Sequence, residues 1–175
     1  EEIKLNSKIT SMKREGKGYC IEYSSENNNL SDNFDFVFSA LPSYEFSKII
    51  KTENKELAEL TSNIKYSSIT VIHLAYDNKK LPDLPRGFGF LIPYIEKKKV
   101  LGVLLASNIF IKRAPAGKTL ITVMVGGARM GNIASLDDIS ILSVVKDDLN
   151  SMLNIKEEPD RIKILRHEKA IPQYL

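Results

Sequence analysis

Between residues 66 and 126 the chain carries one long strand-like run, YSSITVIHLAY, and three shorter apolar runs at about 87–93, 100–106 and 119–126. They are rich in aliphatic and β-branched residues, which pack well on a pleated, half-buried surface. The connection DNKKLPDLPR is a loop whose prolines forbid regular structure. A final run, RIKILRHEKAI, leads into Pro172. Strands cluster in this way and helices interrupt them irregularly. That pattern predicts an α+β fold with a mixed or antiparallel sheet and flanking helices, in preference to alternating βαβ units.

The rest of the chain fits that frame. KITSMKR and GYCIEYS around EGKG predict a β-hairpin. SENNNLSDN reads as an exposed loop, and FDFVFSALP as a strand buried on both faces and ended by Pro42. Residues 43–62 predict one or two short helices with apolar positions at Phe46, Ile49, Ile50, Leu57 and Leu60. The clearest helix runs over 136–153. Ser135 is its expected cap, and Asp137 and Asp138 sit at the positive end of its dipole. Leu136, Ile139, Leu142, Val145, Leu149 and Met152 form its stripe.

Composition narrows the function classes. With 175 residues, 43% hydrophobic and 27% charged, the chain is globular in type and long enough for a real core. The net charge is +3, and the lysines are interleaved with acidic residues, so no basic face for nucleic acid is expected. Cys20 is the only cysteine, which excludes an internal disulfide and points to a reducing compartment. No apolar run approaches the roughly 20 residues of a membrane span. The chain begins without Met, in the run-up to a strand, and ends at AIPQYL without a cap. This predicts an internal piece of something longer.

Motifs for self-contained chemistry fail one by one. APAGKT mimics the end of a phosphate loop, but Lys112 stands where the first glycine is required. GFGFLI lacks the third glycine of a dinucleotide fingerprint and leads into a strand. Two histidines and one cysteine make no metal cluster. His73, inside TVIHLAY, reads as a packed or half-exposed strand residue. No catalytic acid, base or nucleophile stands out, so chemistry would come from a cofactor, with the protein supplying shape and orientation.

Four blocks in order, GFGFLIP, VLGVLLASNIFIKRAPAG, ITVMVGGAR and RHEKAIPQY, resemble the oxygen-dependent, FAD-containing protoporphyrinogen oxidases of haem biosynthesis. They span residues 87 to 174. LNSKITSMKREGKGYCIEYS and FDFVFSALP resemble the wider amine-oxidase-like flavoprotein superfamily more loosely. The resemblance implies a slice of the FAD-binding domain in residues 1–42, a substrate-binding domain in 43–165, and the start of the return to the FAD-binding domain in 166–175. The family's dinucleotide fingerprint and its second flavin-contacting segment fall outside this stretch. FAD is therefore expected in the intact parent and only poor binding in this piece.

The resemblance also implies a site. Its substrate is a flat, mostly apolar macrocycle bearing carboxylates, which calls for an apolar slot with close backbone approach. By similarity Phe88, Gly89 and Leu91 line that slot, and Leu104 and Met124 sandwich the ring. The bland reading of Phe88, Leu91, Leu104 and Met124 is that they are core residues. Ile9 matches a position that touches the adenine end of FAD through its backbone, and His167 one that packs near the flavin ring. For His167 a partly exposed strand residue is the competing reading. Arg86, Arg113 and Arg129 are taken as solvated or ion-paired, and no residue is assigned to the substrate carboxylates.

The implied reaction moves hydride equivalents from a porphyrinogen carbon to the flavin, with molecular oxygen as the final acceptor. Proton loss would go to water or backbone carbonyls, since no catalytic side chain is identified. The implied setting is cytoplasmic. Family members often sit peripherally on a membrane, though no amphipathic anchor is visible here. Protoporphyrinogen IX and coproporphyrinogen III are not distinguished, nor is an oligomeric state. Three alternatives stay open: another amine-oxidase-like flavoprotein such as a carotenoid desaturase or amine oxidase, a non-enzymatic module binding an apolar ligand, and an inactive relative.

Overall fold

The computed structural model describes residues 2–110 and 112–174. It divides into two compact units, Glu1–Lys65 and Tyr66–Leu175.

In the first unit, strands β1 (Ser7–Glu15), β2 (Gly18–Ser25) and β3 (Asn28–Phe34) form an antiparallel meander in the order β1-β2-β3. The expected hairpin is β1–β2. The polar stretch expected to be a loop is instead β3. Its turn is Glu26–Asn27, both at positive φ (49° and 66°), as a two-residue hairpin turn of the favoured hand requires. A strand that pairs on one flank and is solvated on both faces needs no apolar alternation, so its polarity concealed it.

The segment FDFVFSALP also departs from expectation. Only Phe34 is in a strand, and Phe36 and Phe38 are 82% and 97% exposed. β3 pairs with β2 alone, and among the described residues no strand lies beside this apolar stretch. Helices α1 (Ser43–Ile50) and α2 (Lys55–Ser62) follow, as expected for 43–62. Asn54 caps α2 by accepting the Leu57 N–H at 2.9 Å. Ile49, Ile50 and Ala58 close over Met12 and Ile21. Leu57 and Leu60, expected on the buried face, are exposed; α2 turns its small Ala58 inward instead.

The second unit contains β4 (Tyr66–Asp77), β5 (Gly89–Leu91), β6 (Val100–Leu104), a short helix α3 (Ala106–Ile109), β7 (Lys118–Gly126), a one-turn helix α4 (Gly131–Ala134), α5 (Asp138–Leu153) and β8 (Arg161–Pro172). The sheet order is β5-β6-β7-β4-β8, and every neighbouring pair is antiparallel. β4, paired with β7 on one side and β8 on the other, is the long strand that YSSITVIHLAY predicts.

Alternation along β4 and β7 divides the sheet into two faces. Ile72, Leu74 and Tyr76 share one face with Ile121, Val123 and Val125, and Ile141, Val145 and Leu149 of α5 pack on them. All nine are at most 1% exposed. Each such side chain contributes roughly 1.5–3 kcal/mol over remaining in water. The helix stripe therefore runs through Ile141, Val145 and Leu149. Ile139, expected in the stripe, is 83% exposed. The cap is Asp137, not Ser135: its carboxylate accepts the N–H groups of Ile139 and Ser140, each at 3.0 Å. An aspartate can satisfy two orphan donors of the first turn and also meets the positive helix end.

A second carboxylate ties α5 to the sheet. Asp148, nearly buried, accepts the backbone N–H groups of Lys99 at 2.7 Å and Val100 at 3.0 Å. Arg166 of β8 anchors the other end of the helix, donating to the Leu136 carbonyl and to Asp138.

Candidate functional site

Ile141, Val145 and Leu149 of α5 pack on one face of the five-stranded sheet, and the strand registers order the side chains of the opposite face into rows. One cross-strand row runs Gly89, Leu104, Thr122, His73, Lys163; the next runs Leu91, Gly102, Met124, Val71, Leu165. Neighbours within a row lie ~4.8 Å apart, and the two rows lie ~7 Å apart along the strands.

Four of the expected slot residues, Gly89, Leu91, Leu104 and Met124, thus fall in adjacent rows of one face. They come from three strands separated by loops, and only sheet formation brings them together. The bland reading of these side chains as plain core does not fit the geometry: Leu91 is 76% exposed, and Leu104 and Met124 are half-buried on the side away from α5.

Phe88 stands apart. It precedes β5, packs its ring edge-on against Phe110 with centroids 5.7 Å apart, and accepts the Leu105 N–H through its carbonyl. It braces the β5 edge and belongs to neither row.

Glycine matters here at two positions, for different reasons. A Cβ on Gly89 would meet the Val103 carbonyl oxygen at 2.1 Å, and φ is +154°. The adjacent strand alone demands that residue. Gly102 is buried beneath its neighbours on the face. A Cβ there would stand 2.9 Å from Leu91 Cδ2 and 3.5 Å from Met124 Cε. The Leu91 and Met124 side chains therefore close over the Gly102 backbone, and the absent Cβ lets Leu91 pack down onto β6. Sequence reasoning missed Gly102, although a lone glycine inside the apolar strand VLGVLL is a signal of close backbone approach.

A cavity of about 280 Å³ is lined by Leu101, Gly126, Gly127, Tyr94 and Arg129. Arg129 lies over the Tyr94 ring at 5.1 Å, and Arg113 over Phe110 at 5.6 Å. Both are exposed, as is Arg86.

At the other end of the sheet, Lys118 bridges Asp77 at 3.3 Å and Asp160 at 3.0 Å, and Lys80 also bonds Asp160. The Lys80 ammonium first, and then Lys118, hold the Asp160 carboxyl down at about 2. Asp77 is lowered chiefly by the Lys79 backbone N–H and then by Lys118. These charges close the sheet end and lie four residue pairs from His73–Thr122.

The residues expected near a flavin fall in different places. His167 is exposed on β8, paired with Ile69, on the same open face and one row beyond Leu165. Ile9 is in the first unit, on edge strand β1 at a register shift between Ile9 and Ser11. Its side chain lines an apolar cavity of about 270 Å³ with Met12, Val37 and Phe38. A bulge on an edge strand leaves main-chain groups open to a partner, which suits a contact made through backbone atoms. Among the described residues no three His, Cys, Asp or Glu side chains gather to hold a metal ion, and no helix is long and apolar enough to cross a membrane.

A helix-backed antiparallel sheet in one unit and a meander with two helices in the other make an α+β architecture. The same fold occurs in the crystal structure of a protein from Exiguobacterium sp. 255-15, with a TM-score of 0.70, 17% identity, and coverage of 99% of this chain and 36% of that one. The chain belongs to the flavin containing amine oxidoreductase family, whose model matches residues 1–171. It is 30% identical over 183 residues to the chloroplastic protoporphyrinogen oxidase of Nicotiana tabacum, covering 99% of this chain and 33% of that protein. To the protoporphyrinogen oxidase of Homo sapiens it is 31% identical over 146 residues, covering 80% of this chain and 30% of that protein. The chain therefore spans about a third of the length of these relatives.

Proposed function

We propose that the whole protein is an FAD-dependent oxidase that converts a porphyrinogen, protoporphyrinogen IX or coproporphyrinogen III, to the porphyrin of haem biosynthesis. Molecular oxygen is the final electron acceptor in this reading. The observation that carries it is the convergence of Gly89, Leu91, Leu104 and Met124 in adjacent rows of one sheet face, away from α5. Such a surface suits a broad, flat, apolar ring: dispersion and desolvation act over the whole disc, and few polar groups interrupt it. The names of the relatives support the same substrate class.

In this reading, residues 43–165 form the substrate-binding domain, and residues 1–42 and 166–175 belong to the FAD-binding domain. Bound FAD would supply hydride-accepting chemistry that no side chain of this stretch offers. Ile9 would contact it through the open backbone of the β1 edge. His167, on the slot face, would stand near its ring system. Leu91, Leu104 and Met124 hold the substrate plane and exclude water from it, while Phe88 keeps β5 in place through Phe110. The surroundings are a reducing cytoplasm, with room for peripheral docking on the cytoplasmic membrane.

The experiment is turnover by the full-length, FAD-loaded protein, with Leu91→Asp and Met124→Asp as probes of the slot. Either substitution is expected to raise the porphyrinogen KM at least tenfold with flavin content unchanged. Full activity in both variants would remove this face from the substrate site. Turnover of a carotenoid or an amine, and not of a porphyrinogen, would replace the substrate assignment.

A further inference from the structure

We propose that His73 is a substrate-contacting residue of this face, its Nε2 accepting a hydrogen bond from a ring N–H of the bound macrocycle. The proposal rests on the functional reading above and adds to it the one polar contact that the slot side chains lack. In the first row, Leu104, Thr122 and His73 are consecutive neighbours across β6, β7 and β4. His73 is thus about 10 Å from Leu104, two strand spacings, within the span of a ring resting on Leu104 and Met124.

The imidazole is held rather than free. Nδ1 lies 2.9 Å from Thr122 Oγ1, and Thr122 is itself buried. With the Nδ1 proton donated to Thr122, the neutral ring presents Nε2 as an acceptor. Among the described residues no protein group bonds Nε2, and it is not one of the buried atoms left without a partner, so solvent reaches it on this face. Around it the same face offers Val71 and Ala75 on β4 and Leu120 and Met124 on β7, none with a polar side-chain group. Lys163, opposite on β8, is a donor only. In the Nδ1–H tautomer, which the proposal requires, His73 is the acceptor that this part of the face provides. A macrocycle whose N–H groups point to its centre needs an acceptor under the ring, not at its rim.

A buried polar contact of this kind fixes orientation more than it contributes bulk affinity, and its loss leaves a donor unpaired. The test uses the full-length, FAD-loaded enzyme carrying His73→Phe, which keeps the ring shape, and His73→Gln, whose amide oxygen reaches near the Nε2 position. His73→Phe is expected to raise the porphyrinogen KM about tenfold with kcat within about threefold. His73→Gln is expected to recover most of the loss. Flavin content and melting temperature should match the wild type in both. Thr122→Val, which frees the ring while leaving it in place, is expected to give a smaller rise, about threefold.

Binding of the porphyrin diacid and its dimethyl ester, followed by fluorescence quenching, separates ring from rim. An equal loss on both forms in His73→Phe supports the N–H contact. A loss confined to the diacid overturns it and puts a carboxylate at His73. Unchanged KM and binding in His73→Phe overturn the proposal altogether. If the wild type binds porphyrins but oxidises no porphyrinogen, the functional reading fails and the binding arm still decides the role of His73.

Discussion

Gly102 and Met124 face each other where β6 meets β7, and a methyl placed on Gly102 would stand 3.5 Å from Met124 Cε. This pair sets the depth of the open face. In Gly102→Val, the Leu91 side chain that covers Gly102 must swing aside and the apolar surface it forms with Met124 is remade. The expected outcome is a folded, flavin-loaded parent enzyme whose porphyrinogen KM rises about tenfold or more. Gly89→Ala should behave differently. Its Cβ strikes the Val103 carbonyl, so the β5–β6 pair should open and stability should fall. Steady-state kinetics with parallel melting curves distinguish the two.

The Asp148 carboxylate predicts a stability effect with no direct part in binding. Asp148→Ala leaves the Lys99 and Val100 N–H groups unpaired near the core. The expected loss is about 2 kcal/mol, or about 4–8 °C in melting temperature for a chain of this size. Asp148→Asn retains an acceptor and should lose less. Thermal melts of the two variants check this. A larger loss in Asn than in Ala would contradict the assigned role.

Acid should loosen the β4–β7 end first. Asp160 is held at about 2 by Lys80 and Lys118, below the ordinary aspartate value of about 3.9. A depressed carboxyl stabilises the fold above its unfolded value. That contribution disappears as pH falls from about 4 towards 2. Melting temperature should drop over this window in the wild type and less steeply in Asp160→Asn. Because these groups are exposed to solvent, added salt should shrink the difference.

Phe36 and Phe38 carry no packing in this chain. Replacing both with Ser should leave its melting temperature within about 2 °C, the scale of surface substitutions. Binding of a dye that reports exposed apolar surface should fall. A melting temperature lowered by more than about 5 °C would show that these rings are packed in solution.

The elements legible in the sequence are those with a strong period or firm punctuation: the β1–β2 hairpin, the long β4, the apolar β7 and the α5 helix. What escaped depends on partners that no local window shows. β3 is polar because its faces are solvated, and FDFVFSALP reads as a buried strand although no described strand lies beside it. Asp137 displaces Ser135 as the cap because the helix starts two residues later than its apolar pattern. At the candidate site, the resemblance to known oxidases singled out Leu91, Leu104 and Met124, and sheet register sets them in adjacent rows. The rows, the packing of Leu91 and Met124 over Gly102 and the pairing of His73 with Thr122 follow from strand register. Register is a property of the assembled sheet and depends on bulges such as those at Val100–Gly102 and Ser67–Ile69.

The most direct test of the account is porphyrin formation by the full-length, FAD-loaded protein, supplied with protoporphyrinogen IX or coproporphyrinogen III in air. Fluorescence is followed against a protein-free control, because porphyrinogens also oxidise spontaneously. The account predicts rapid, FAD-dependent appearance of porphyrin, with the faster substrate naming the physiological one. A fully flavin-loaded protein that gives no rate above the control on either substrate would contradict it.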